Sequence, residues 1–346
     1  MSPLSRRAFV KRVARGGAAL LAAPALLSLA ARSSHAADGP LALYNGQHRP
    51  PVEATIAAFT AATGIAVDVR HGTSAQLANQ LIEEGEHSPA DLFWSEESPS
   101  LVALSEKGLL APILPATLAE IPPAYSALDG SWIGATARCR VVVYNKAAID
   151  PKTLPASVLD FASEAYADKV AFAPASGAFQ QQIVAVMILK GRDTALAWLK
   201  GLRRYGRVYN SDSAAVEAVE SGDIPIALSN NYYWYALARE IGEDSVQSAI
   251  HNIGNGDPGT LITVSGAGVL KSARNAEAAQ RFVAFMVSAE GQKTIVAAIA
   301  EYPLRPGITS PFPLVPMANL GAAPITPNQL GDAAAAIDLL RAAELA

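Results

Sequence analysis

Hydrophobic positions from residue 41 onward follow two alternating periods. Short runs of apolar and β-branched residues, typical of buried strands, lie at 41–44, 65–69 and 91–94. Between them, apolar residues recur every three or four positions, which is typical of helices, and Gly64 predicts the end of the first helix. The order strand, helix, strand, helix, strand predicts an α/β fold with largely parallel strands.

A second set of elements follows the same order. Strands are predicted at 140–144, 170–173 and 224–228, and helices at 179–189, 195–202 and around Val216 and Val219. A further strand at 261–269 and a helical run at 276–299 have no obvious partner nearby in sequence. Two α/β lobes are the economical interpretation. If the strand at 261–269 returns to the first lobe, the chain crosses between the lobes more than once, which predicts a hinged two-lobe clamp.

The N-terminal segment has the pattern of a twin-arginine export signal. Arg6 and Arg7 precede an uncharged apolar stretch at 16–31, which is too short for a membrane span. Small residues then suit cleavage after Ala36 or Ala37. We therefore expect a signal peptide at 1–36 and a mature protein in the periplasm that does not insert into the membrane.

Charge and cysteine content narrow the function classes. The segment 1–36 holds six of the 27 basic residues and no acidic one, so cleavage leaves 21 basic against 31 acidic residues, a net charge of −10. An acidic chain of this kind argues against nucleic acid and anionic lipid as partners and suits the attraction of cations. The single cysteine, Cys139, excludes an intramolecular disulfide and a thiolate metal cluster.

Polar side chains follow four of the predicted strands. In open α/β sheets ligands bind beyond the carboxyl ends of the strands. The first set presents His48 and the pair Glu96-Glu97 there, and the second set presents the turn 176–178 and the pair Tyr232-Tyr233. These side chains converge only if the two lobes face one another.

The chemistry of this set points to a trivalent cation. Oxygen donors with one nitrogen suit a hard cation, and phenolate suits Fe(III) in particular. As anions, Glu96, Tyr232 and Tyr233 supply three negative charges, and neutral His48 is a fourth ligand. An octahedral ion keeps two positions for a small anion. The turn 176–178 begins a helix, where unpaired backbone N–H groups favour negative charge.

With these residues, the chain resembles the periplasmic ferric-binding proteins of bacterial ABC iron importers from residue 41 to about 314. The matching stretches lie at 44–48, 109–113, 140–144, 176–179, 230–235 and 301–305. The resemblance implies a two-lobed class II periplasmic-binding-protein fold with a hinged cleft. It divides the chain into an N-lobe, 37–138 plus 263–313, and a C-lobe, 139–262 plus 314–346.

The resemblance also implies the function and its residues. Fe(III) is expected at His48, Glu96, Tyr232 and Tyr233, and a phosphate or carbonate at Ser176, Gly177, Ala178 and Asn230. The expected partners are an inner-membrane ABC permease and its ATPase, and the protein is expected to be a monomer.

Two acidic residues depart from the family pattern. Asp212 occupies an asparagine position and Glu97 a glutamine position. A carboxylate beside a bound phosphate adds repulsion, so Asn210 takes the contact, carbonate is preferred, or the anion is bound weakly. Because neighbouring strand residues point to opposite faces, only one of Glu96 and Glu97 is expected to reach the ion. Tyr144 is a candidate ligand if no anion is used, as in relatives with extra tyrosines.

Two other function classes compete with iron binding. Aromatic and acidic side chains can also cage an organic cation such as a polyamine or thiamine. An exported enzyme is the second alternative. The sequence contains no nucleophile elbow, no His-Glu-x-x-His and no glycine-rich phosphate loop, so no enzymatic activity is expected.

Overall fold

The computed structural model describes residues 39–242 and 244–346, so the predicted signal peptide at 1–36 lies outside the described residues. The strands are β1 (Leu41–Asn45), β2 (Val67–His71), β3 (Leu92–Ser95), β4 (Leu110–Ala111), β5 (Ile133–Asn145), β6 (Val170–Phe172), β7 (Arg207–Val208), β8 (Ile226–Asn230), β9 (Ser248–His251), β10 (Ile262–Leu270) and β11 (Tyr302–Pro303). The helices are α1 (Arg49–Thr63), α2 (Ser74–Glu84), α3 (Ser98–Glu106), α4 (Pro115–Leu118), α5 (Gly177–Lys190), α6 (Arg192–Tyr205), α7 (Asp212–Ser221), α8 (Asn231–Ile241), α9 (Ala276–Met286), α10 (Ala289–Ala298) and α11 (Ala334–Ala342).

Within the described residues the strands form one mixed sheet, with eight of them in the order β2-β1-β3-β10-β5-β8-β6-β7. Strand β4 pairs with β10, and β9 and β11 pair with β5. The first half of the sheet comprises β2, β1, β3 and β10, on one side of β5. In it, β1 is parallel to β2 and β3. The second half comprises β8, β6 and β7, on the other side of β5. In it, β6 is parallel to β7 and β8. The predicted strand at 261–269 is β10, and it does return to the first half, where it lies antiparallel to β3.

Strand β5 joins the two halves. Its residues from Ile133 to Cys139 pair with β10, and those from Arg140 to Asn145 pair with β8 and β9. Only 140–144 was predicted, because Thr136 and Arg138 interrupt the apolar pattern of a strand that is buried along its whole length. The chain thus passes between the halves at Cys139 and Arg140, and β10 begins beside this crossing.

The helical run predicted at 276–299 is two helices, α9 and α10. Ser288 ends the run by capping α10, since its Oγ accepts a hydrogen bond from the backbone N–H of Gly291 at 3.0 Å. A Cβ at position 291 would overlap the carbonyl oxygen of Phe285, so the tight turn requires glycine. Periodicity alone does not reveal this break, because both helices bury the same kind of apolar face.

Each half of the sheet has its own hydrophobic core. Phe59, Trp94 and Phe282 belong to the core of the first half, and Phe172 and Trp198 to that of the second. The lobe boundaries expected from the sequence stay a prediction. Among residues 39–242 and 244–346, no helix has the length and apolar character needed to cross a membrane.

Candidate metal centre

A polar cleft of about 440 Å³ opens between the two halves, beyond the carboxyl ends of β1, β3 and β6. Its walls carry side chains from both halves. They include His48, Ser74, Glu96, Glu97, Ser176, Gly177, Gln180, Asn210, Asp212 and Tyr233. A smaller, more apolar pocket lies on the other side of the tyrosine pair and is lined by both Tyr232 and Tyr233.

His48 lies between β1 and α1. Two prolines directly after Arg49 favour the start of the helix at this point, because their fixed φ suits its first turn. The imidazole Nε2 is buried, has no hydrogen-bond partner within the described residues, and lies 3.5 Å from Oε1 of Glu96. The rings of Tyr232 and Tyr233 lie edge-on to it, with centroids 5.1 and 5.8 Å away. His48 thus directs an unpaired nitrogen towards the carboxylate and the phenols.

Glu96 connects the two halves of the sheet. It follows β3, and its backbone N–H donates to Oγ of Ser74 at 2.9 Å. The Tyr232 hydroxyl, from the second half, donates to Oε1 of Glu96 at 2.8 Å. Burial alone would raise the pKa of Glu96, but His48 and the Arg138 guanidinium outweigh it and lower this pKa to about 2. The carboxylate is therefore ionised at neutral pH.

Tyr232 and Tyr233 lie in the first turn of α8, directly after β8. Their ring centroids are 4.3 Å apart. Burial, followed by the negative charge of Glu96, raises the pKa of both phenols above the usual 10.0. Both are therefore protonated at neutral pH without a metal, and a bound cation must displace their protons.

The structure brings together all four predicted metal ligands, namely His48, Glu96, Tyr232 and Tyr233. Within residues 39–242 and 244–346, no group of three or more His, Cys, Asp or Glu side chains is arranged to hold a metal ion. The hydroxyls of Tyr232 and Tyr233 are further oxygen donors beside His48 and Glu96.

The predicted anion residues are only partly exposed to the cleft. Ser176 and Gly177 line it at the start of α5, whereas Ala178 is buried behind them. Asn230 is fully buried. Its Oδ1 accepts a hydrogen bond from Nη1 of Arg140 at 3.3 Å, and its Nδ2 donates to the Tyr232 hydroxyl at 3.5 Å. Asn230 therefore contacts the phenol from beneath and does not line the cleft.

Asp212, the first residue of α7, is buried but lines the cleft. Its Oδ1 accepts a hydrogen bond from Nη1 of Arg140 at 3.0 Å, while its Oδ2 has no partner within the described residues. The arginine therefore balances the charge that sequence reasoning identified as repulsive to an anion. Asn210, the alternative anion contact, is exposed and lines the same cleft.

Glu97 lies in the cleft, whereas Tyr144 lies outside it. That only one of Glu96 and Glu97 reaches the ion stays a prediction. Strand β3 ends at Ser95, so strand alternation does not apply beyond it, and Glu96 and Glu97 line the same cleft. Burial and then the charge of Glu96 raise the pKa of Glu97 to about 8. Tyr144 pairs with Ile226 at the far end of β8 and is not among the residues that line the cleft.

Sequence reasoning missed two arginines beneath the cleft. Arg138 is fully buried, with Nη2 3.7 Å from Oε1 of Glu96 and Nη1 3.9 Å from Oε1 of Glu301. Arg140 holds Asp212 in the second half. The available signal was two charged residues at alternate positions of an otherwise apolar strand, because buried charges require partners.

The pKa of His48 provides a test of this arrangement in the metal-free protein. Burial lowers it, but the Glu96 carboxylate outweighs burial and raises it above the usual 6.5. Protonated His48 therefore stabilises the fold below that usual value, and the contribution is lost as the pH rises through the raised pKa. We expect NMR titration to show a raised pKa that falls in Glu96→Gln. An unchanged pKa in this variant would contradict the contact.

The α/β sheet with a ligand cleft between its halves defines a solute-binding protein. The chain matches the family model of the bacterial extracellular solute-binding proteins over residues 54–318, and it belongs to this family. Solved structures of ferric-binding proteins confirm the α/β periplasmic-binding fold predicted from the sequence.

Curated relatives and a solved structure extend this comparison. The chain is 43% identical over 324 residues to the major ferric iron-binding protein of Neisseria meningitidis, covering 92% of this chain and 97% of the relative. It is 35% identical over 316 residues to the Fe(3+)-binding periplasmic protein of Serratia marcescens, covering 91% and 93%. Iron-bound HitA from Pseudomonas aeruginosa superposes with a TM-score of 0.86 at 46% identity, covering 88% of this chain and 99% of that one. The resemblance to ferric-binding proteins is thereby confirmed.

Proposed function

We propose that this chain captures Fe(III) in the periplasm and delivers it to an ABC permease for uptake. The observation that carries the proposal is the contact between Glu96 of the first half and Tyr232 of the second, with His48 and Tyr233 beside it. A cation that replaces the shared proton binds both halves at once. The iron named for the relatives supports this choice of cation.

The charge of the site fits a trivalent ion. Glu96 is already ionised, and loss of the two phenol protons gives three negative charges, which neutralise Fe(III). Phenolate and carboxylate oxygens are hard donors, and neutral His48 contributes the remaining nitrogen. Arg138, beneath Glu96, orients the carboxylate and does not itself meet the ion.

Delivery requires a change between open and closed forms. Only the closed form brings ligands of the N-lobe (37–138 plus 263–313) and the C-lobe (139–262 plus 314–346) together, so iron shifts the population towards it. Strand β5, which passes between the halves at Cys139 and Arg140, is the element on which such a hinge would act. The closed form then docks on the permease.

The remaining parts of the proposal concern export and partners. Arg6 and Arg7 support export by the twin-arginine route, with cleavage near Ala36. We propose that the mature protein acts as a monomer, has no enzymatic activity, and supplies a permease driven by a separate ATPase. The positions that four protein ligands leave open on an octahedral ion would be filled by an anion such as phosphate or carbonate, or by a further group of the chain.

Titration of the metal-free protein with Fe(III) tests this function. We expect a visible phenolate-to-iron absorption that saturates at one iron per chain, and release of at least two protons, one from each phenol. A polyamine or thiamine should bind weakly or not at all, and without colour. Saturable binding of the organic cation, without colour or proton release on addition of iron, would instead support the competing cation-receptor function.

A further inference from the structure

The carboxylate of Glu97 lies directly against the backbone at the start of α5. A Cβ on Gly177 would overlap both carboxylate oxygens of Glu97, so only glycine leaves room for this approach. Glu97 comes from the first half of the sheet, just beyond β3, and Gly177 from the second half. The contact therefore crosses the cleft, and it lies at the helix terminus expected to hold an anion.

The start of α5 favours a negative charge. The first backbone N–H groups of a helix have no acceptor within the helix, and the helix dipole adds partial positive charge at this end. Helix α5 is long, spans Gly177–Lys190 and has no acidic residue in its first turn. Since α5 has no acidic residue of its own here, the Glu97 carboxyl group, once ionised, places a negative charge against Gly177.

The opposite wall disfavours a second anion. Asp212 is 2% exposed and lines the cleft with an Oδ2 that has no partner within the described residues. Arg140, the cation closest to Asp212, is already paired with its Oδ1. When Glu97 loses its proton, the charges of Asp212, Glu97 and Arg140 sum to one negative charge. A phosphate placed here would compete with the Glu97 side chain for the start of α5, and it would meet Asp212, whose charge Arg140 only balances.

We propose that the Glu97 carboxylate takes the place of a free anion at the start of α5, so that this chain binds Fe(III) without phosphate or carbonate. This inference rests on the proposed function and identifies the group that occupies the positions left by the four expected ligands. A carboxylate is a hard oxygen donor that suits Fe(III) and takes one or two coordination positions. Here it is covalently part of the protein, so the site needs no second solute.

The test compares Fe(III) binding by the wild type and Glu97→Gln in buffer free of phosphate and carbonate, and again with excess phosphate. Affinity is measured by competition with a chelator, and phosphate retained per iron is measured after desalting. The matched control is Glu106→Gln, which makes the same substitution at an exposed position at the other end of α3.

For the wild type and Glu106→Gln, we expect phosphate to change the iron affinity by less than about twofold. A change this small means that phosphate binding and iron binding are not coupled. No phosphate should be retained. Glu97→Gln should lose about tenfold to a hundredfold in affinity without phosphate, recover most of it with phosphate, and retain about one phosphate per iron.

Wild-type protein that retains one phosphate per iron and gains tenfold or more in affinity from it would overturn the inference, even if the variant does not fold. Equal affinities of the wild type and Glu97→Gln in the anion-free buffer would also overturn it. Wild-type protein that binds no iron in either buffer would contradict the proposed function itself. The two failures are thereby distinguishable.

Discussion

Replacement of Tyr233 by phenylalanine is expected to lower the affinity for Fe(III) by at least about a hundredfold. Loss of a residue that only supports a metal ligand costs up to about a hundredfold in affinity, and loss of a ligand itself should cost at least as much. The change removes one anionic donor and leaves part of the positive charge of the ion uncompensated inside the cleft. The visible phenolate-to-iron absorption should weaken in parallel. Both quantities are measured in one chelator competition monitored by absorbance.

Tyr144→Phe is the matched control for this prediction. Tyr144 is a buried tyrosine, but it lies on β5 opposite Ile226 and outside the cleft. Its replacement should leave iron affinity and colour unchanged. Wild-type affinity in Tyr233→Phe, or loss of iron binding in Tyr144→Phe, would contradict the assignment of the ligands.

Replacement of Arg138 by methionine is expected to destabilise the metal-free protein by about 3–5 kcal/mol, because removal of one partner leaves buried charge without compensation. Arg138 and Glu301 are both fully buried, and Arg138 also lies beside Glu96. Urea unfolding at neutral pH, followed by circular dichroism, measures the change in the free energy of unfolding.

Two further variants show whether the charge is the cause. Arg281→Met removes an arginine from the exposed face of α9 and should change stability by less than about 0.5 kcal/mol. Adding Glu301→Gln to Arg138→Met should recover part of the lost stability, since the unpaired carboxylate is then absent. If the double variant is no more stable than Arg138→Met, lost packing rather than unpaired charge explains the effect.

Much of the fold was predictable from hydrophobic periodicity. Strand β1 and helix α1 were predicted with nearly their observed bounds. The end of α1 was predictable because Gly64 adopts a left-handed conformation that stops the helix. The first half of β5 was missed, since Arg138 lies on a strand buried on both faces and looks from the sequence like an exposed position. Its partner Glu301 is remote in sequence, and only the assembled sheet brings the two together.

The candidate site was also only partly predictable from the sequence. The rule that ligands bind beyond strand ends brought together His48, Glu96 and the two tyrosines, because those residues directly follow strands. It does not predict how a side chain in a turn is oriented. Glu97 lies just past the end of β3, where strand alternation no longer applies, and its approach to Gly177 depends on how closely the two halves face each other.

A crystal structure of the iron-loaded protein, with anomalous differences measured at the iron absorption edge, tests the central claim most directly. We predict one anomalous peak per chain, coordinated by the Glu96 carboxylate, His48 Nε2 and the hydroxyl oxygens of Tyr232 and Tyr233. A peak that lies elsewhere, or one bound by carboxylates without either phenol oxygen, would contradict it.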